Sequence, residues 1–268
     1  MTNSNSINLS THELATSLAL CGHESMASQV LNSMEIIEDG EEVKRFILQT
    51  EISLKSKGYW DDNRSTMLVA GVEDLMHLLV HSKKKVRCIR EDRVLLIHLI
   101  DQKNVLVQDI GNQMHSFSLK KLEDGVTNLL LKHFRLDSSD YESTKDIQTL
   151  LLSNDMFDEL HQLDHSVLER MINDENLEAE LRHFFYDFKK NLQQFDNLSF
   201  MEMDYIKDFM DIKHVIFMLP SEQFIWHLDY EKIQEEEVYI VPTETNDYCS
   251  RLNQDILDYF LQETAANS

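Results

Sequence analysis

The sequence predicts an α+β fold of two similar halves, each running from helices to antiparallel strands and then to a closing helix. Three observations predict it. With only six glycines and two prolines in 268 residues, the chain lacks the turn chemistry of a β-sandwich or a glycine-rich cofactor fold. Apolar residues recur at helical spacing early in each half and then give way to short β-branched runs. A hydrophobic content of 42% is enough for one large domain or two small ones, each with its own core.

Ser10 or Thr11 is the expected cap of the first helix, with Glu13 in its first turn, Leu14, Leu18 and Leu20 on one face, and Gly22 as its stop. A second helix carries Met26, Val30 and Leu31. After Asp39-Gly40 a long one carries Val43, Phe46, Ile47, Ile52 and Leu54 up to Gly58. Asp62-Asn63 is expected to restart a helix through Met67, Leu75, Met76 and Val80. From Lys84 the runs VRCIRE, DRVLLIHLID, NVLVQDI and QMHSFSL, parted by Glu91-Asp92, Gln102-Lys103 and Gly111-Asn112, read as a four-stranded meander. A helix through Leu122, Val126, Leu130 and Phe134 follows.

Residues Ser138–Ser143, SSDYES, read as a linker between a half of residues 1–137 and a half of residues 144–268, which stand as two domains or form one composite domain. In the second half, helices are expected at Lys145–Leu152 and Asp155–Leu163, and a long one from Val167 to Phe195. Strands are expected at Phe200–Met203, His214–Leu219, Gln223–Leu228 and Val238–Val241, and a last helix from Asn246 or Asp247. Laying STHELATSLALC over STKDIQTLLLSN sets Thr11 on Thr144 and Leu14 on Ile147. Either an internal duplication or two merely similar halves explains the match. A duplication would place the meanders in one composite sheet, or in two abutting sheets about a pseudo-twofold axis.

The net charge of −23 is uneven: residues 1–135 hold 16 Lys and Arg against 18 Asp and Glu, residues 136–268 hold 9 against 30. Such a field repels phosphate backbones and anionic lipid, so nucleic acid and membrane surfaces are disfavoured as partners, while solubility or a basic partner is favoured. Cys21, Cys88 and Cys249 form an odd set without pair spacing, read as small apolar residues in a reducing cytoplasm. No run is long and apolar enough to span a bilayer, and MTNSNSINLS lacks the layout of a signal peptide.

No G-x-S-x-G, G-x-G-x-x-G, P-loop or HExxH is present, and no catalytic residue or cofactor is expected. Glu73, His77 and His81 could share a helix face at metal-ligand spacing. The same helix offers Leu75, Leu78, Leu79 and Val80 to a core, so partly buried helix histidines are the preferred reading and no metal is assigned. His161 and His165 read as a solvated pair. Phe224, Ile225, Trp226 and Leu228 read as core rather than as a docking ridge, and residues 231–238 as a solvated hairpin loop.

The sharpest local anomaly is basic: Lys83, Lys84, Lys85, Arg87, Arg90 and Arg93 lie within eleven residues. On a strand, Lys83, Lys85 and Arg87 share a face, which suits a charged edge that blocks aggregation, or a patch that holds an acidic segment. Lys84, Lys85, Arg87, Arg90 and Arg93, with Gln102 and Lys103 on the neighbouring turn, form the expected partner-binding surface.

The helix after STHEL, the long helix ending LKSKGYW, the segment TMLVAGVEDLMHLLV and the strands that begin at KKVRCIR together resemble the EspG family, cytosolic chaperones of the type VII (ESX) secretion pathway. The resemblance implies a quasi-twofold α+β fold without catalytic residues. It also implies a chaperone or adaptor for an α-helical secretion substrate, such as a WXG- or LXG-type hairpin. A composition poor in Gly, Pro and Ala departs from that family and leaves the client open. An immunity or regulatory protein that binds a toxin is the first alternative. An enzyme built on dispersed carboxylates or on Glu73, His77 and His81 is the second.

Overall fold

Ser10 opens the architecture twice over, as the last residue of strand β1 (Ile7–Ser10) and the cap of helix α1 (Thr11–Leu20). Its side chain accepts from the Glu13 N–H at 3.2 Å while the Glu13 carboxylate accepts from the Ser10 N–H at 2.6 Å, a reciprocal box that satisfies two backbone donors. The computed structural model describes residues 6–31, 40–136, 147–205, 207, 209–229 and 237–262, leaving out the side chains of 40–44. The expected linker at 138–143 and nearly all of the hairpin loop at 231–238 lie outside them.

Helices α2 (Glu24–Leu31), α3 (Gly40–Ser56) and α4 (Ala70–His81) follow, then strands β2 (Lys84–Arg90), β3 (Arg93–Leu99), β4 (Asn104–Gly111) and β5 (Met114–Lys121). Gly22 and Gly58, at φ +80° and +71°, end α1 and α3 in the left-handed conformation that glycine adopts without a steric cost. The chain continues through α5 (Thr127–Phe134), β6 (Leu150–Ser153), α6 (Asn154–Leu160), α7 (His165–Asn173) and α8 (Ala179–Lys190). It closes with β7 (Asp196–Asp204), β8 (Phe209–Pro220), β9 (Ile225–Asp229), β10 (Glu237–Thr243) and α9 (Thr245–Leu261). The mixed α+β class and the antiparallel pairing follow the expectation.

The chain divides into two compact units, one of residues 1–87, 92–124 and 200–213, the other of 88–91, 125–199 and 214–268. In the first, the strands succeed one another as β1-β5-β4-β3-β2. Leu9, Leu14, Leu18, Leu54, Met76, Leu79 and Phe117 fill its core. In the second, the order β6-β10-β9-β8 repeats that scheme: the opening strand pairs with the last strand of the series, and the others follow backwards. Its core is aromatic, with Phe184, Phe185, Phe188, Phe224 and Trp226 fully buried. The run Phe224–Leu228 is core, as its pattern suggested.

Four expectations are corrected. Residues 62–69 are not helical: Asp61 accepts from the Asn63 N–H at 3.0 Å, Met67 takes φ +58°, and Trp60 pairs with Leu68 as an isolated bridge, so α4 starts at Ala70. Leu150–Ser153 is strand rather than helix, since Leu150 and Leu152 point inward and Leu151 outward against β10, a period of two. The stretch 167–195 breaks where Asp174 accepts from the Asn176 N–H at 3.0 Å, the local bond with which Asp competes against a helix. Finally, the internal match is set ten residues too early. The counterpart of Ser10 is Ser153, which ends β6 and caps α6 by accepting from the Met156 N–H. Strand β1 was not expected at all.

The helix expected from Leu122 to Phe134 is interrupted at Gly125 (φ +68°) between a 3-10 turn at Leu122–Asp124 and α5. The α5 entry is capped from outside, by Asn253 Oδ1 of α9, which accepts from the Val126 N–H at 2.7 Å. A Cβ on Gly125 would stand 2.9 Å from that same oxygen. Gly125→Ala is therefore expected to destabilise the second unit by at least about 1–2 kcal/mol, the cost of a left-handed alanine, with a further cost for displacing Asn253. Urea midpoints of Gly125→Ala, Asn253→Ala and the double variant test it. Strict additivity would show that the two positions do not interact.

Candidate functional site

The basic island does not form an open edge. Its Lys84–Arg87 part lies between β3 and the end of β7, where the Met203 N–H donates to the Lys83 carbonyl at 2.7 Å. Lys84 is buried and Lys85 is 1% exposed, which removes both from the accessible surface. Lys83 remains outside, 3.7 Å from Asp204. Arg87 and Arg90 are half-buried, and Arg90 lies 3.6 Å from Glu91. Arg93 Nη2 donates to both oxygens of Asp109 at 3.0 Å, a charge-assisted contact. The expected edge strand is thus an inner strand, flanked by β3 and the end of β7.

Gln102 and Lys103 are exposed, as expected, on the turn between β3 and β4. Asp101 Oδ1 accepts from the Lys103 N–H at 2.7 Å and the Asn104 N–H at 2.9 Å; the Asn104 side-chain amide, which donates to both carboxylate oxygens, and then these backbone bonds hold the Asp101 carboxyl below the usual range. The Lys103 carbonyl accepts from the Leu122 N–H at 2.7 Å. The turn is therefore tied down at both its start and its end while its two side chains reach solvent.

Lys85 has an unusual setting. Its ammonium lies 4.2 Å above the Tyr205 ring and 3.1 Å from the Tyr205 hydroxyl; burial pulls its pKa down to about 7. Beside it runs a polar ladder across β3, β4 and β5. His98 Nε2 donates to Gln108 Oε1 at 3.0 Å, Gln108 Nε2 donates to His115 Nδ1 at 2.8 Å, and His115 Nε2 donates to Thr11 Oγ1 at 3.1 Å. The Gln108 amide sets this polarity, because its oxygen only accepts and its nitrogen only donates. Burial holds His98 at about 3 and His115 at about 4, so both are neutral at pH 7. The ladder ties the sheet to the start of α1; it joins residues far apart in the sequence, and no local motif announces it.

One constellation has the composition of a hydrolase relay. His183 Nε2 lies 3.3 Å from Ser221 Oγ and 3.3 Å from Asp187 Oδ2. A relay needs the carboxylate on Nδ1 and the hydroxyl on Nε2; here one nitrogen faces both. Asp187 also accepts from Trp226 Nε1 at 2.9 Å, and burial pushes its carboxyl pKa up. The group anchors Trp226 in the core.

Glu73, His77 and His81 do not act together. The Arg64 guanidinium holds the Glu73 carboxylate, while His77 and His81 instead gather with His23. His161 and His165 are both exposed, as expected, and the His161 ring packs onto Phe188 and Phe195.

Apolar side chains stand exposed in two places of the first unit. Along α3, Ile47, Leu48 and Ile52 are 52%, 56% and 58% exposed. A separate groove of about 550 Å³ is lined by His12, Arg45, Phe46, Gln49 and Thr50. Phe209, Met210 and Ile212 are exposed at the start of β8. Clusters of this kind mark contact surfaces more often than scattered single residues do.

No protein-family model matches the sequence, and no curated protein sequence matches it significantly. Among solved structures, the chain is similar to the Mycobacterium tuberculosis type VII secretion system chaperone EspG5, in a complex with the PE25–PPE41 dimer. The TM-score is 0.55 at 10% sequence identity, over 95% of this chain and 96% of that one. The fold is EspG-like. At that identity the likeness is one of fold, and the EspG-like frame carries no residue roles across. Among the described residues, no helix is long and apolar enough to cross a membrane.

Proposed function

We propose that this chain is a non-enzymatic, protein-binding chaperone or adaptor that works in the cytoplasm and holds an α-helical substrate of type VII secretion before export. The observation that carries the reading is the EspG-like fold over almost the full length of both chains, the solved neighbour being a chaperone in complex with a protein dimer. The exposed Ile47, Leu48 and Ile52 on α3 support it, because exposed apolar side chains along a helix suit a partner helix. Gln102 and Lys103 supply a polar contact on a braced turn, and the acidic second half keeps a complex soluble.

Co-expression with each small helical protein encoded beside its gene tests the proposal. An equimolar complex surviving gel filtration at moderate salt is the expected result, with the partner insoluble on its own. Ile47→Asp/Ile52→Asp and Gln102→Glu/Lys103→Glu should each weaken that complex by about tenfold or more, roughly 1.4 kcal/mol. Unchanged affinity in both variants removes these surfaces from the proposal. Failure to form an equimolar complex with any helical exported protein overturns it.

A further inference from the structure

We propose that His23, His77 and His81 form a binding site for a divalent first-row transition-metal ion of the zinc, nickel or copper type. His77 and His81 are four residues apart on α4, the spacing at which two imidazoles on one helix face grip a single ion. His23, immediately before α2, brings a third ring: the ring centroids lie 5.5 Å (His23 to His77), 6.4 Å (His23 to His81) and 6.2 Å (His77 to His81) apart. A cavity of about 230 Å³ lined by His77, Leu78, His81, Ser82 and Ile100 adjoins them.

Two of the three rings are set up as ligands. His81 Nδ1 lies 2.8 Å from the His77 carbonyl oxygen. That oxygen can only accept, so Nδ1 carries the proton and Nε2 keeps its lone pair, which is how ligating histidines are commonly oriented. His23 Nε2 is buried without a hydrogen-bond partner, a cost that coordination would remove. The carboxylate one turn away cannot take the place of His23, because Glu73 is held by Arg64.

Among the described residues, no three His, Cys, Asp or Glu side chains are placed to hold a metal ion as they stand. Closure therefore requires small side-chain shifts at the exposed His77 and His81, which surface side chains make readily. Three imidazoles with the remaining positions left to water is a donor set that zinc, nickel and copper accept and that magnesium and calcium do not. A bound ion would clip the start of α2 to α4 and stabilise the first unit by mass action.

The test is a zinc titration of tag-free, chelator-treated full chain at pH 7.5, in competition with a chromophoric chelator. One equivalent should bind. His77→Ala, His81→Ala and His23→Ala should each weaken it by more than about tenfold, and His165→Ala on the surface of α7 should leave it unchanged. His77 and His81 are exposed, so these two variants should fold; circular dichroism confirms it for all. A site insensitive to His23→Ala would be a surface histidine pair only and would overturn the three-ligand proposal, as would the absence of saturable binding.

Discussion

Replacing Trp226 by alanine is expected to cost the second unit about 3–5 kcal/mol, the range for truncating a large aromatic in a core. Trp226 is 0% exposed, and its ring packs edge-on against Phe224 at 4.7 Å and Phe184 at 5.8 Å. Two losses combine in this variant: the ring's volume, and the N–H that satisfies the buried Asp187. Trp226→Phe separates them. It retains most of the apolar burial but leaves the Asp187 carboxylate short of its 2.9 Å donor, whose other oxygen already lacks a partner. That change alone should cost about 1–3 kcal/mol. Urea unfolding followed by far-ultraviolet dichroism measures both, since one of the chain's two tryptophans is removed. If Trp226→Phe is as stable as the parent, Asp187 is not held by this bond.

Lys85→Met is expected to raise stability at pH 7 and to flatten its dependence on pH. Burial brings the Lys85 pKa down to about 7 from an ordinary 10.5. Between those values the unfolded chain binds more protons than the folded one, so stability rises with pH through this window. Below about pH 7 both states are protonated and the whole cost of the buried ammonium is present. Methionine has similar length and no charge, so the gain should be largest at or below pH 7, on the order of a few kcal/mol. The lost contacts to the Tyr205 ring and hydroxyl offset part of it. Unfolding midpoints at pH 6 and pH 10 decide: a wild-type chain no more stable at pH 10, or a methionine variant with the same slope, refutes the role given to Lys85.

Lys85 also shows where the sequence was legible and where it was not. The residues KKVRCIR read correctly as a strand, because alternation and β-branched content are local properties. They read incorrectly as an edge, because the neighbour that covers Lys84 and Lys85 arrives from Phe200–Asp204, more than a hundred residues later. The Asp101–Asn104 turn was legible for the same local reason: Asp and Asn supply the side-chain acceptor and donor that close it. The histidine cluster was half legible. The i, i+4 pair on α4 is visible in EDLMHLLVH, but Glu73 was the expected third member, and only packing shows that Arg64 removes it and that His23 replaces it.

By itself, the sequence determined most of the helices and strands, the helix ends at Gly22 and Gly58, the cap at Ser10, and the mixed α+β class with its EspG-like order of elements. Each rests on interactions within a few residues, where spacing and side-chain chemistry decide the outcome. The tertiary structure alone decided that Leu150–Ser153 is strand, that Ser153 is the counterpart of Ser10, that Lys85 is buried against Tyr205, and which three histidines meet. Burial and pairing depend on partners brought together by folding, and the free energy of a strand, a charge or a ligand set is that of its neighbours, which the linear order does not contain.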